Sequence, residues 1–364
     1  MPFPKINSLM AAGVEEEIFP GAVLLIGRGE EILFHQAFGH ASLIPEKQPL
    51  QIDTVFDLAS LTKPLATTLG IMAFIGKSLL SLDQPLEFLI ESPYSPGQQE
   101  ITIRHLLAHS AGFPDYRPYY LHLIHEKGDK KKILRNWVLK EPLLYPPGRQ
   151  TLYSDLGFIF LEWIFERTAG EGLDIWTQKN IYGPLGLTHL GFRPISLSGV
   201  ANPEVYAATE DCPWRKKVLR GEVHDENTYA VGGVSGQAGL FGTASEVFQL
   251  LRTLKRSYDH PECTNLFSGK MIRIFWERQS LPQGTTRALG FDTPEEFGSS
   301  AGRYFSLKSV GHLGFTGTSF WLDLERDLMV ILLTNRIHPS RTNEKIKSFR
   351  PMIHDLVFQE VIDS

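Results

Sequence analysis

The feature that most constrains the fold is a pair of β-hairpin patterns, one near each end of the chain. Near the start, the β-prone runs 21–27 and 31–38 flank the polar turn Arg28-Gly29-Glu30. Near the end, the runs 318–323 and 328–334 flank a second polar turn. Short β-branched and aromatic runs on either side of a polar turn are typical of hairpins. Joining the two hairpins predicts one antiparallel sheet built from both ends of the chain.

Between the hairpins the sequence is mostly helical in pattern, broken by loops rich in Pro and Gly. Helical spacing is clearest in three internal segments and in a final segment that contains Pro351, namely Leu61 to Ile75, Ile101 to His109, Leu156 to Thr168 and Glu344 to Val361. The predicted fold class is α/β of the α+β type: an antiparallel sheet from N- and C-terminal strands, flanked by helices, with an inserted, mainly helical region. We expect residues 1–60 and 300–364 to form the sheet region and residues 61–299 to form the insertion, with the active-site cleft between them.

Composition excludes several other classes of protein. The 364-residue chain has a formal net charge of −5 and only short basic clusters such as Lys130-Lys131-Lys132, so it lacks the broad cationic face that binds nucleic acid. Apolar stretches such as 22–26 are far shorter than the roughly 20 residues of a spanning helix, so no membrane association is predicted. The first residues show no secretory signal pattern, which predicts a cytoplasmic location. Cys212 and Cys263 lack C-x-x-C spacing, which argues against a disulfide scaffold or a cysteine-based zinc site.

The first candidate for chemistry is the pair Ser60 and Lys63, at the start of a predicted helix. Three residues correspond to about one helical turn, which places the lysine ammonium beside the serine hydroxyl. A serine hydroxyl is a weak nucleophile until a base removes its proton, and a partly desolvated lysine is suited to that role. Backbone N–H groups at a helix N-terminus also favour the negative charge of an oxyanion. Serine is a common helix cap, so this pair alone is a weak indication of a site.

Two further segments add to this pair. The loop from Pro146 presents Tyr153 just before an apolar helix, and a lysine cation beside a tyrosine is expected to depress the pKa of the phenol and make it a proton carrier. The glycine-rich segment 311–318 contains His312, Leu313 and Gly314 and leads into a predicted strand. Glycines at such a position let a ligand approach the backbone closely.

In this order, the three motifs resemble those of the serine β-lactamase and penicillin-binding protein superfamily, in particular its class C-like branch with the related esterases. They read Ser60-Leu-Thr-Lys63, Tyr153-Ser-Asp155 and His312-Leu-Gly314, and the likeness runs from about Gly21 to Asn335. The resemblance implies that Ser60 is acylated, that Lys63 and Tyr153 pass protons, and that the N–H groups of Ser60 and Phe315 form the oxyanion hole. It also implies that the substrate, a small acyl compound, contacts Asp155, His312, Leu313 and Gly314. No cofactor, metal or nucleic acid is implied.

Two departures from the family pattern bear on the substrate. Asp155 stands where the family usually has Asn, and its carboxylate is expected either to face the substrate as an acceptor or to pair with Lys63, which would leave Tyr153 as the base. His312 and Leu313 replace Lys and Thr, which removes a permanent cation that would suit a substrate carboxylate. The sequence therefore favours small esters or amides over β-lactams and D-alanyl peptides, which remain the alternative substrates.

Two alternative interpretations assign the chain to other classes of protein. The segment Gly298 to Gly302 matches the G-x-S-x-G motif of α/β-hydrolases, with Ser300 as nucleophile and Asp323 and His338 following in the right order, but it lacks the required strand before and helix after. The other alternative is a catalytically idle protein that binds a ligand in the same cleft. The presence of all three motif residues argues against it.

Overall fold

The structure is a computed structural model that describes residues 3–195, 203–262 and 267–362. Cys263 lies outside the described residues, and Cys212 is a buried free cysteine. The helices are α1 (Pro4–Glu15), α2 (Thr68–Gly76), α3 (Ile103–Leu107), α4 (Tyr120–Leu123), α5 (Lys130–Leu139), α6 (Asp155–Ala169), α7 (Leu173–Thr177), α8 (Glu226–Ala230), α9 (Ala244–Asp259), α10 (Gly269–Trp276) and α11 (Ile346–Val361). The strands are β1 (Gly21–Arg28), β2 (Glu31–Ser42), β3 (Gln48–Pro49), β4 (Phe56–Asp57), β5 (Gly191–Phe192), β6 (Ala208–Cys212), β7 (Lys217–Arg220), β8 (Leu240–Gly242), β9 (Val310–Leu313), β10 (Ser319–Asp323) and β11 (Leu328–Thr334).

Both terminal hairpins join in one antiparallel sheet of six strands, in the order β3-β2-β1-β11-β10-β9. The junction is the pairing of β1 with β11, in which Leu24 lies opposite Leu332. The predicted hairpins and the fold class are therefore confirmed. The boundaries proposed at residues 60 and 300 stay a prediction. Among the described residues, the strands of this sheet come from 21–49 and 310–334.

The sheet has an apolar core on each face. Successive side chains of a strand point to opposite faces. On β1, Val23 and Leu25 belong to the core shared with the inserted helices, whereas Leu24 and Ile26 pack with residues of α1 and α11. The sheet is thus covered by helices on both sides, which explains why β1 is a continuous apolar run rather than an alternating one.

A second, small sheet places the Ser60 segment. Strand β8 lies between β4 and β5, with Phe56 opposite Gly242 and Asp57 opposite Phe241. The chain leaves β4 and passes through a 3₁₀ turn at Ala59–Leu61 and a π-helical turn at Lys63–Thr67 before α2 begins. The sequence predicted a regular helix from residue 61. Pro64 has no N–H to donate, so a regular α-helical hydrogen bond cannot form at this position.

Candidate active site

Ser60 lies in a short segment that the surrounding chain holds in a strained conformation. Ala59, the residue before it, has a φ of 48°, which non-glycine residues rarely adopt. The Ala59 N–H donates to Asp57 Oδ1 at 2.8 Å, and the Leu58 N–H donates to the Leu240 carbonyl at 2.9 Å. These bonds offset the strain, which costs on the order of 1–3 kcal/mol and is common where a functional group must be held in place.

Lys63 is fully buried directly beside Ser60. Its Nζ lies 3.0 Å from Ser60 Oγ, 2.7 Å from Asp155 Oδ1 and 3.1 Å from the Gln237 carbonyl. An ammonium has three protons, and these three acceptors use all of them. Because Ser60 Oγ accepts from Lys63, the proton of the serine hydroxyl is free to point toward another acceptor.

Tyr153 is held at this point by the loop around His109. The His109 carbonyl accepts from the Leu152 N–H at 2.9 Å, and His109 Nδ1 accepts from the Ser154 N–H at 3.0 Å. The imidazole and phenol rings lie 4.5 Å apart, and Lys63 Nζ lies 4.8 Å from the centre of the phenol ring. The phenol oxygen thus faces both Lys63 and Ser60. The structure brings all three motif residues together.

The electrostatics correct one expectation about the tyrosine. Burial raises the pKa of the Tyr153 phenol, and this outweighs the opposing effect of the Lys63 cation. Burial also disfavours the charged form of Lys63, but the carboxylate of Asp155 and the phenol of Tyr153 outweigh it, so the pKa of Lys63 lies above its usual value. The prediction of a depressed phenol pKa was wrong, because removal from water destabilises the phenolate by more than one nearby cation stabilises it. The site at rest therefore holds a neutral tyrosine and a charged lysine paired with Asp155.

The two residues whose backbone N–H groups are expected to bind an oxyanion line the same cleft. Within the described chain, neither the Ser60 N–H nor the Phe315 N–H donates to a protein acceptor. Gly314, the residue before Phe315, passes so close to its neighbours that a Cβ there would lie 2.0 Å from Thr318 Oγ1. The backbone therefore needs glycine at this position.

The motif that contains His312 is itself a strand, not a turn before one. His312 and Leu313 end β9, the edge strand of the large sheet, and His312 pairs with Phe320. His312 is buried, with Nδ1 2.9 Å from the Leu313 carbonyl. Burial, reinforced by the cations Lys63 and Arg287, holds the pKa of His312 well below its usual value, so the imidazole is neutral at pH 7.

The side chains of Ser60, Tyr153, Asp155 and His312 line one cleft of about 610 Å³, which also contains cations that the sequence did not indicate. Arg287 has its guanidinium 5.5 Å from the Tyr153 ring centre and forms an ion pair with Asp292. The expectation that the cleft lost its permanent cation at His312 was therefore incomplete. No local pattern marks Arg287, because it comes from a loop that only the folded chain brings to the cleft.

The alternative triad does not assemble. The carbonyl of Ser300 faces His354 Nδ1 at 2.8 Å, whereas Asp323 bonds to Ser306 and Arg326. His338 Nε2 accepts from the Leu43 N–H at 2.8 Å. The α/β-hydrolase interpretation is wrong for this chain, since its base and carboxylate have partners elsewhere.

Residues 3–195, 203–262 and 267–362 contain no group of three His, Cys, Asp or Glu side chains placed to hold a metal ion. In the same ranges no helix is long and apolar enough to cross a membrane.

Comparison with known proteins identifies the family of this chain. A family model described as Beta-lactamase matches residues 6–349, and the chain belongs to this family of hydrolases with the serine β-lactamase fold. A relative from Escherichia coli (strain K12), provisionally named a D-alanyl-D-alanine carboxypeptidase, is 31% identical over 358 residues, which are 88% of this chain and 79% of the relative. A Bacillus subtilis (strain 168) protein named N-acetylmuramyl-L-alanine amidase is 30% identical and covers 88% of this chain and 78% of its own length.

Solved structures share the fold at lower identity. EstCE1, a hydrolase with promiscuous acyltransferase activity, superposes with a TM-score of 0.74 at 23% identity, over 95% of this chain and 97% of its own. An octameric penicillin-binding protein homologue from Pyrococcus abyssi superposes with a TM-score of 0.73 at 18% identity, over 97% of this chain and 78% of its own. These two likenesses support the fold alone.

Proposed function

We propose that this protein is a serine hydrolase that forms an acyl-enzyme at Ser60 with small esters or amides. The observation that carries the proposal is the contact of Lys63 Nζ with Ser60 Oγ at 3.0 Å, with the phenol of Tyr153 facing both groups at the wall of the cleft. A nucleophile beside its proton-transfer partners, which a third group orients in turn, is the arrangement that covalent catalysis needs.

Acylation follows from the resting protonation state. Ser60 Oγ attacks the acyl carbon as its proton moves to Tyr153 Oη, and Tyr153 passes its own proton to the departing oxygen or nitrogen. The Oγ–carbon bond forms and the bond to the leaving group breaks. The oxyanion is stabilised by the N–H groups of Ser60 and Phe315, and Lys63, 3.0 Å from Ser60 Oγ, stabilises the negative charge that develops on the serine oxygen as its proton leaves.

Deacylation runs through the same groups in reverse. Water attacks the acyl carbon and gives a proton to Tyr153 Oη, which returns its own proton to Ser60 Oγ. Lys63 keeps its charge throughout because Asp155 remains paired with it at 2.7 Å. In this scheme Asp155 maintains the cation rather than contacting the substrate.

A fluorophosphonate probe tests the proposal. Such a probe labels an activated serine covalently, so wild-type protein and Ser300→Ala should be labelled and Ser60→Ala should not. Labelling that survives Ser60→Ala would reject Ser60 as nucleophile. A wild-type protein that folds but resists the probe would support the idle ligand-binding alternative.

One observation favours a second candidate, hydrolysis of acyl compounds that carry a carboxylate, such as β-lactams or D-alanyl peptides. Arg287 lies beside Tyr153 and His312, where it supplies a cation in place of the one absent at position 312. The provisional name of the Escherichia coli relative, D-alanyl-D-alanine carboxypeptidase, points in the same direction. Comparing kcat/KM for a neutral short-chain ester and for a chromogenic cephalosporin separates the candidates, and the first predicts that the ester is turned over faster.

A further inference from the structure

The backbone around Phe315, the proposed second oxyanion donor, accepts hydrogen bonds from two arginines that come from different parts of the chain. Arg336, which follows β11, donates to the Phe315 carbonyl from Nε at 2.9 Å and from Nη2 at 2.6 Å. Arg350, on α11, donates from Nη2 to the Gly314 carbonyl at 3.3 Å and to the Thr318 carbonyl at 3.2 Å. The two peptide units on either side of Phe315 are therefore both held by guanidinium groups.

The contact from Arg350 acts on the peptide unit that carries the donor. The Gly314 carbonyl and the Phe315 N–H belong to one planar, trans peptide, so they point in opposite directions. The Gly314 carbonyl accepts from the Gly317 N–H at 3.0 Å, and Arg350 adds a second donor to it at 3.3 Å. Together these two bonds fix the direction of the Phe315 N–H. A cation on the carbonyl side also polarises the peptide and makes its N–H a stronger donor.

The side chain of Phe315 is fixed as well. Its ring contacts the imidazole of His224, 5.6 Å away and nearly parallel, and the guanidinium of Arg336, 4.8 Å from the ring centre. Almost half of the Phe315 surface is nevertheless exposed, at 48%, so burial alone does not immobilise it.

Both arginines are placed at an energetic cost. Each is only 6% exposed, and among the described residues neither has a carboxylate within ion-pair distance. The remaining Arg336 donors go to the carbonyls of Arg341 and Asn343, and Arg350 Nε has no partner in the described chain. Burial and the nearby Arg336 charge lower the pKa of Arg350 to about 10. A buried cation without an anionic partner destabilises the folded protein by several kcal/mol. Two such arginines beside one loop therefore indicate a role other than stabilising the fold.

The same loop is bonded to the segment that leads to Ser60. Thr316 Oγ1 donates to the Asp57 carbonyl at 2.8 Å, and Thr318 Oγ1 donates to the Leu58 carbonyl at 3.1 Å. The relative position of the Ser60 and Phe315 donors is therefore set by direct bonds between their two segments.

We infer that Arg336 and Arg350 are positioning residues for the oxyanion hole: they fix the peptide units around Phe315 so that its N–H faces the acyl oxygen. The inference rests on the proposed function. It assigns the arginines to the stabilisation of the transition state, so their loss lowers kcat with little effect on KM.

The test uses Arg336→Met and Arg350→Met, with Arg336→Lys as a variant that keeps the charge. The matched control is Arg220→Met, because Arg220 also donates to backbone carbonyls, those of Tyr206 and Glu204, and does not line the cleft. Loss of an oxyanion donor lowers kcat by roughly 10²–10³-fold, so its displacement should lower kcat by about 10–100-fold. Two quantities are to be measured for each variant. The first is the rate of ester hydrolysis per active site, with the active sites counted by burst titration. The second is the inhibition constant of a boronic acid that forms a tetrahedral adduct with serine.

The expected result is a fall in kcat and in boronic acid affinity by similar factors, with KM changed less than about threefold, a smaller effect for Arg336→Lys and none for the control. A variant with a lowered melting temperature but unchanged kcat per active site would reduce the arginines to a structural role and overturn the inference. If the methionine variants do not fold, Arg336→Lys with wild-type kcat and boronic acid affinity would overturn it equally. Ester hydrolysis that survives Ser60→Ala would instead reject the proposed function, so the two failures are distinguishable.

Discussion

Asp155→Asn is the substitution whose effect the structure specifies most closely. Lys63 is fully buried, and Asp155, 2.7 Å from its Nζ, is the carboxylate paired with it. Asparagine has almost the same shape but no charge. Removing one partner of a buried ion pair destabilises a protein by about 3–5 kcal/mol, because the other charge is left in a poorly solvated place. We expect the free energy of unfolding to fall by this amount at pH 7. The fall is reduced by the free energy that the folded variant gains when Lys63 releases its proton.

That gain makes the fall depend on pH, with a definite sign. In the wild type burial alone would lower the pKa of Lys63, but Asp155 and Tyr153 together outweigh burial and raise it, so the stabilisation is complete below the usual lysine pKa. Without Asp155, burial pushes the pKa of Lys63 down, and the unfolded variant binds more protons than the folded one. The stability of the variant therefore rises with pH. The difference between wild type and variant should shrink steadily from pH 7 to pH 10.

Urea unfolding at several pH values measures this difference. Asp225→Asn is the matched control: it removes another carboxylate from the cleft, but Asp225 caps α8 and asparagine is an equally good cap. A variant as stable as the wild type at pH 7, or a difference that does not shrink toward pH 10, would refute the assignment of a charged Lys63 paired with Asp155.

Three further predictions follow from the site and its surroundings. Tyr153→Phe and Lys63→Ala should each lower kcat by about 10²-fold or more, and the double variant should be little worse than the poorer single one; additive losses measured by steady-state kinetics would show separate proton paths. Arg287→Met should lower kcat/KM for a cephalosporin by about 10–150-fold relative to a neutral ester if Arg287 binds a substrate carboxylate, and an equal effect on both substrates would exclude that role. Burial lowers the pKa of His354 to about 4, so the unfolded chain takes up a proton first as pH falls from about 6.5, and about 3 kcal/mol of stability is lost by pH 4. His354→Phe should flatten this dependence in thermal melts at each pH, and an unchanged slope would contradict it.

Local patterns predicted the parts of the fold that depend on neighbours in sequence. The two terminal hairpins and the predicted helix that became α6 show clear periodicity or turn chemistry, and all three are present. Helix α1 was not predicted, although it covers one face of the sheet. Strands β4, β5 and β8 have only two or three residues each, too few for a periodic pattern, and they form because the folded chain brings them together.

The residues of the candidate site also divide into those that a local pattern predicted and those that it did not. Ser60 and Lys63 are three residues apart, so their contact could be foreseen from helical geometry. Tyr153 was singled out as a tyrosine on a loop before an apolar helix, but only the resemblance to a family related it to Ser60 and Lys63, and Phe315 was found by that resemblance alone. Arg287 and the two arginines that hold Phe315 were not foreseen, because an isolated arginine carries no local signal and its role depends on contacts made only after folding.

The central claim, a covalent intermediate at Ser60, is tested most directly by mass spectrometry of the enzyme quenched in acid during turnover of a slow ester. The account predicts that intact protein gains the mass of one acyl group, and that fragmentation places this group on Ser60. Accumulation should increase when deacylation is slowed, as in Tyr153→Phe mixed with a highly activated ester whose leaving group needs no proton. An acyl group on Ser300 or any residue other than Ser60, or rapid turnover with no covalent species under either condition, would contradict the account.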